Sequence, residues 1–173
     1  MNKSKIEIGI LGGSFDPAHK GHLAISKEAR KRFKLKKIIW AITKKNPLKA
    51  ESKTPVSKRI KDCKKLIGSN TFIKVKFYED TINSNKTIDL INYLKKNKKL
   101  EIFFLMGADN LISFHKWHKS KLITEKCNII VFDRHGYKKN SLKSKTFKKL
   151  NNKTLTFVKF KKVNISSSQL RKI

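Results

Sequence analysis

Short apolar runs alternate along the chain with lysine-rich stretches of helical period. Six of the runs predict strands: Ile6–Leu11, Ile38–Ile42, Phe72–Phe77, Ile102–Met106, Asn128–Phe132 and Leu155–Phe160. The first, second, fourth and fifth are nearly continuous in Ile, Leu, Val, Phe and Trp, as expected of parallel strands covered on both faces. Between them, His22–Phe33 puts Leu23, Ile25 or Ser26, Ala29 and Phe33 on one stripe, with Lys27, Lys31 and Arg32 away from it. A second helix is predicted over Pro55–Ile67, with Thr54 as N-cap, Pro55 in the first position and Gly68 as the stop. Thr87–Leu94 repeats Ile88, Ile91 and Leu94, and a short helix is expected over Lys116–Thr124. Strand and helix in steady alternation predict an α/β fold, a Rossmann-like, doubly wound and mostly parallel sheet with helices on both faces. Such sheets bind ligands beyond the carboxyl ends of their strands, so chemistry is sought just after each strand.

Length and composition narrow this picture. The 173 residues suit one domain, 1–173, with no Pro-, Gly- or Ser-rich linker and no internal repeat. The formal net charge of +31 raises nucleic-acid binding as a function. Its make-up weakens that reading, because 38 Lys stand against 5 Arg, beside 20 Ile and 13 Asn. Lys, Ile and Asn share adenine- and thymine-rich codons, whereas nucleic-acid surfaces favour the bidentate guanidinium. The five arginines read as remnants of a drift toward Lys. Cys63 and Cys127 stand 64 positions apart without a partner motif and are expected as inert buried thiols. The N-terminal stretch has no signal-peptide pattern, and no apolar run approaches the ~20 residues of a membrane span. A cytoplasmic protein without a membrane or specific nucleic-acid partner is expected; the oligomeric state is open.

The first strand runs into Gly12-Gly13-Ser14-Phe15-Asp16-Pro17-Ala18-His19-Lys20-Gly21-His22. Small residues at a strand-to-helix turn let backbone N–H groups approach a phosphate, and the helix start adds a favourable dipole. His19 and His22, three apart at a helix start, share one face and can donate to neighbouring phosphoryl oxygens. They can equally be surface residues flanking a turn. As zinc ligands they lack a nearby Cys or third His, and no metal site is expected.

The same stretch resembles the signature of the HxGH nucleotidyltransferases, and within them most resembles the bacterial nicotinate-nucleotide adenylyltransferases. His19 stands where the related pantetheine-phosphate enzymes carry Thr. Four later segments are similar to that family's motifs. Lys45-Asn46-Pro47-Leu48-Lys49 resembles its Asn-Pro-Pro-His-Lys loop, one residue shorter, and Lys86-Thr87-Ile88-Asp89 resembles Ser-Tyr-Thr-Ile-Asp with Lys86 in place of Tyr. Met106-Gly107-Ala108-Asp109-Asn110-Leu111 with Trp117 looks like Gly-Ala-Asp…Trp, followed by Arg134-His135-Gly136 for Arg-Pro-Gly. Ile165-Ser166-Ser167-Ser168-Gln169-Leu170-Arg171 resembles Ile-Ser-Ser-Thr-x-Ile-Arg, where the family usually continues in a further helical stretch. Read locally, Thr87 is also an N-cap, Ser166 with Gln169 a capping box, and Trp117 either a stacking platform or the cover of a core edge.

The resemblance implies adenylyl transfer from ATP to nicotinate mononucleotide. It implies His19, His22 and Arg171 as catalytic residues. Gly13, Ser14, Phe15, Gly107, Asp109, Ser166 and Ser167 would join these three around ATP, Asp109 at the ribose. Asn46, Lys49, Thr87, Asp89 and Trp117 would hold the nicotinate nucleotide. Magnesium is implied as an ion held mainly by substrate phosphates. The alternatives are another phosphorylated acceptor, pantetheine phosphate or nicotinamide mononucleotide, and a basic nucleic-acid-binding module on the same scaffold.

Overall fold

The computed structural model describes residues 4–46, 51–150, 153–160 and 170. Its strands are β1 (Ile6–Gly13), β2 (Lys37–Ile42), β3 (Ile73–Phe77), β4 (Leu100–Gly107), β5 (Asn128–Phe132) and β6 (Leu155–Val158). They form one sheet in the order β3-β2-β1-β4-β5-β6, and every neighbouring pair is parallel. The order reverses between β1 and β4, so a crevice opens where Gly13 and Gly107 end their strands. The expected doubly wound sheet is present.

Alternate residues of the central strands enter separate cores. Ile8, Ile10, Ile102 and Phe104 pack on one face with Ile88, Ile91, Leu111 and Ile123. Ile38, Trp40, Ile130 and Phe132 pack on the other with Ala29 and Cys63. Helices α1 (Lys20–Phe33) and α2 (Val56–Ile67) cover this second face, α4 (Thr87–Lys95) and α6 (Ser120–Lys126) the first. Gly9 is where β1 meets its cover most closely: a Cβ there would lie 3.0 Å from Leu35 and 3.1 Å from Ile38. Both cysteines are buried and unbridged, and burial pushes each thiol up to about 12. Among the described residues no helix is long and apolar enough to cross a membrane.

Departures from the predicted elements have local causes. Thr54 does not cap α2; the cap position is Pro55, and the Thr54 side chain instead hydrogen-bonds Asp16. Gly68 does stop that helix, at φ +50°. Thr87 is likewise not a cap but the first residue of α4, after Lys86. The helix expected over Lys116–Thr124 is two pieces, a 3₁₀ turn (Phe114–Lys116) and α6, separated by Lys119 in the left-handed region. Four short helices carry too few residues for a visible period: α3 (Glu79–Ile82), α5 (Ala108–Ser113), α7 (Lys138–Leu142) and α8 (Lys145–Leu150).

Candidate active site

The turn after β1 is built from the inside outward. Phe15, with φ +49°, is almost wholly buried and stacks on Trp40 at 5.1 Å. Its ring also supports His22, 4.7 Å away. Trp40 donates from Nε1 to Ser26 Oγ at 2.8 Å, and Ser26 donates to the His22 carbonyl at 2.8 Å. The Phe15 side chain is therefore a floor beneath the histidines, and only its backbone is left to meet a nucleotide.

His19 caps α1, its Nδ1 accepting from the Gly21 N–H at 3.1 Å. The Nδ1 of His22 accepts from the His19 N–H at 3.1 Å, closing a capping box of two imidazoles. With Nδ1 an acceptor in both rings, a neutral imidazole carries its proton on Nε2, the nitrogen pointed away from the cap. Burial, and then the charge of Arg134, lower the His19 pKa to about 4, so this ring is neutral at pH 7. The ring centroids are 3.9 Å apart, and no acidic residue sits in the first turn of α1. Two N–H donors thus stand together at the positive end of a 14-residue helix.

Across the crevice, Asp109 in the first turn of α5 accepts from Arg134 Nη1 at 2.7 Å. That guanidinium also lies 5.6 Å from the centre of the Tyr137 ring. Asp109 therefore reaches the crevice already bound to a cation. Gly107 keeps room for this carboxylate, because a Cβ there would come within 2.6 Å of Asp109 Oδ1.

A second compartment of roughly 340 Å³ opens from Gly12 and Gly13 toward α4. Asn46, Thr87 and Trp117 line it, as do Ser84 and Glu79. Trp117 meets Phe104 edge-on at 5.9 Å and Phe114 at 5.2 Å, so one edge is packed while the residue still lines the cleft. Asp89 is not part of the lining; it accepts from Ser84 Oγ at 2.6 Å, and Ser84 Oγ accepts from the Lys86 N–H at 3.1 Å. Its place is behind the turn that enters α4, not in the cleft.

The structure thus brings His19 and His22 together beside Gly13, Ser14 and Phe15, sets Gly107 and Asp109 at the next strand end, and gathers Asn46, Thr87 and Trp117 in the cleft. Lys49, Ser166, Ser167 and Arg171 lie outside the described residues. Four participants escaped the sequence reading. Arg134 was matched to a motif but given no role; Asp16, Arg59 and Glu79 were not singled out. Asp16 accepts from Ser52 Oγ and is hydrogen-bonded by Thr54; burial alone would raise its carboxyl, yet these bonds and the Arg59 charge hold it below the usual range. Arg59 is buried and, among the described residues, donates to carbonyls alone. The one available signal was that arginine is rare here: among the described residues two of the five guanidiniums sit at this site, Arg59 with all three nitrogens engaged and Arg134 on Asp109 through Nη1.

A doubly wound sheet whose switch-point crevice holds paired N–H donors beside an aromatic-edged cleft defines a nucleotide-handling α/β protein. The family model for cytidylyltransferase-like proteins matches residues 10–173, and the chain belongs to that family. It is 67% identical, over its whole length and 96% of the relative, to a probable nicotinate-nucleotide adenylyltransferase of Pelagibacter ubique (strain HTCC1062). A protein of the same description from Agrobacterium fabrum is 38% identical over 75% of this chain and 70% of its own. The fold matches Plasmodium falciparum nicotinic acid mononucleotide adenylyltransferase complexed with NaAD, with a TM-score of 0.77 at 22% identity, covering 96% of this chain and 82% of that one.

Proposed function

We infer that the chain transfers an adenylyl group from ATP to nicotinate mononucleotide, giving nicotinate adenine dinucleotide and pyrophosphate. The observation that carries the reading is the adjacency of two unlike compartments at one strand end. A donor-rich turn suited to a triphosphate and a cleft suited to a flat ring meet at Gly12–Gly13. The acceptor's 5′-phosphate oxygen is already ionised at neutral pH and needs no general base. It attacks the α-phosphorus in line; the new P–O bond forms as the α–β bridging bond breaks, and that electron pair leaves on pyrophosphate.

The residues then take these parts. His19 and His22 donate from Nε2 to the triphosphate, His22 nearest the reacting phosphorus, with no proton transferred. Gly13, Ser14 and the Phe15 backbone let the nucleotide approach the sheet edge. Arg134, fixed by Asp109, adds a cation near His19, a ring kept neutral first by its burial and then by this charge. The Gly107–Asp109 strand end faces the ribose. Ser166, Ser167 and Arg171 belong, by resemblance to the family motif, at the β- and γ-phosphates. Asn46 and Lys49 serve the mononucleotide phosphate, Thr87 and Trp117 the pyridine ring, and Asp89 sets the turn that carries Thr87.

Among the described residues no three His, Cys, Asp or Glu side chains gather as a metal cage; at the crevice the Asp109 carboxylate is engaged by Arg134 and stands with the His19 and His22 rings. Such a donor set fits magnesium carried on the phosphate oxygens of ATP, where it would supply charge neutralisation. Pyrophosphate release is measured with nicotinate mononucleotide, nicotinamide mononucleotide and pantetheine phosphate side by side. Turnover with the first is expected; turnover with pantetheine phosphate alone overturns the acceptor while sparing the chemistry.

A further inference from the structure

The turn and the cleft share Gly12–Gly13, but the cleft wall at Thr43 comes from another loop, and its distance from the turn beyond Gly13 must be held. Arg59, on the first turn of α2, is 2% exposed. Its Nη1 donates to the Ser14 carbonyl at 2.7 Å and to the Thr43 carbonyl at 2.8 Å, so a single nitrogen joins the loop after β1 to the loop after β2. Nη2 reaches the Lys44 carbonyl at 3.4 Å, and Nε donates to the Thr54 carbonyl at 2.9 Å. From the opposite side Glu79 takes the Thr43 hydroxyl and, at 3.2 Å, the Lys44 N–H. The Thr43 N–H donates to the Gly13 carbonyl at 3.0 Å. Thr43, which lines the cleft, and its neighbour Lys44 are thus gripped by both Arg59 and Glu79. Among the described residues Arg59 is the side chain that carries that grip across to Ser14, beside the backbone bond from Thr43 to Gly13.

We propose that Arg59 is the positioning residue that sets the distance between the phosphate turn and the acceptor cleft, acting through the Ser14 and Thr43 carbonyls. The inference rests on the two-compartment reading given above. Arg59 lines no part of the cleft and bonds neither histidine, so it contributes nothing directly to either substrate's affinity. Its contribution falls on the step that needs both substrates at once. In-line attack requires the reacting atoms within about 3–3.5 Å, and a misplacement of about 1 Å can cost about 100-fold. A lysine ammonium is a single point without the fork, unable to span four carbonyls on two loops. The negative charges of Asp16 and Glu79 lie close enough to offset part of the burial of the guanidinium.

The test separates binding from turnover. For Arg59→Lys, the Kd of ATP alone and of nicotinate mononucleotide alone should each stay within about threefold of wild type, while kcat falls about 100-fold. Cys63→Ala, buried on the same helix but bonded to neither loop, controls for simple loosening of α2. It should lower Tm and leave kcat near wild type at a temperature where it is folded. Should Arg59→Lys fail to fold, Arg59→Gln, which keeps a short planar donor group but cannot reach both loops, takes its place, with the same loss in kcat and the same unchanged Kd values expected. A kcat within threefold of wild type in the folded Arg59 variant, or a kcat that merely tracks Tm as in Cys63→Ala, overturns the proposal. Wild-type protein without adenylyl transfer refutes the underlying function instead, so the two failures are distinguishable.

Discussion

The phosphate turn and the acceptor cleft differ in how far apart along the chain their parts lie. The hydrogen bonds and ring contacts given above for the histidine pair join residues between Phe15 and Trp40, and these hydrogen bonds span two to four positions except for Trp40 to Ser26. The cleft draws on β1, β2, α3, α4 and the 3₁₀ turn before α6, with Gly12 and Trp117 more than a hundred positions apart. The turn is consequently a preformed device. The cleft is a product of the sheet, and its shape depends on four loops agreeing.

The largest expected effect tests the turn alone. His22→Ala should lower kcat about 10²–10³-fold, the scale of one lost transition-state donor. Half of the capping box goes with it, worth about 1 kcal/mol and so roughly 2–4 °C of Tm. The Kd for nicotinate mononucleotide should hold, because His22 does not line the cleft. Turnover near wild type would remove His22 from the mechanism.

The complementary change tests the cleft. Ring stacking on an aromatic side chain is worth about 1–3 kcal/mol, so Trp117→Ala should raise the KM for nicotinate mononucleotide about tenfold and leave that of ATP unmoved. Phe104 and Phe114 would also lose a neighbour, and Tm should fall. A lower Tm with an unchanged acceptor KM would make Trp117 the cover of a core edge and nothing more.

The same contrast explains what the sequence disclosed. All six strands were visible, because buried parallel strands are written as apolar runs; their ends moved where pairing outlasts the run, as Leu100 and Glu101 pair with Ile6 and Glu7. The histidine turn was readable down to its shared face, since three residues of helix fix it. Asp89 was matched to a binding motif, yet its partner is Ser84, a relation no motif expresses. Arg59 was least visible: its partners lie 5 to 45 positions away and are all carbonyls, groups that every residue owns. Composition then misled, because reading the arginines as remnants of drift gave no weight to Arg59, whose three nitrogens all find carbonyls, or to Arg134 on Asp109.

The smallest effect concerns proton linkage at the cap. The folded His19 has a pKa near 4, below its ordinary 6.5, so between these values the unfolded chain binds the proton that the folded chain refuses. Stability is therefore complete above about pH 6.5 and is lost as pH falls toward 4. Protonation would also put a hydrogen on the Nδ1 that accepts from Gly21, opening the cap in the same window. Asn is as good an N-cap as the helix can have and does not titrate. His19→Asn should accordingly lose adenylyl transfer yet match wild-type Tm near pH 7.5, and fall less steeply than wild type between pH 6.5 and 4. Parallel Tm curves through that window would mean the folded ring titrates normally, and the neutral Nε2 donor assigned to it would have to be given up.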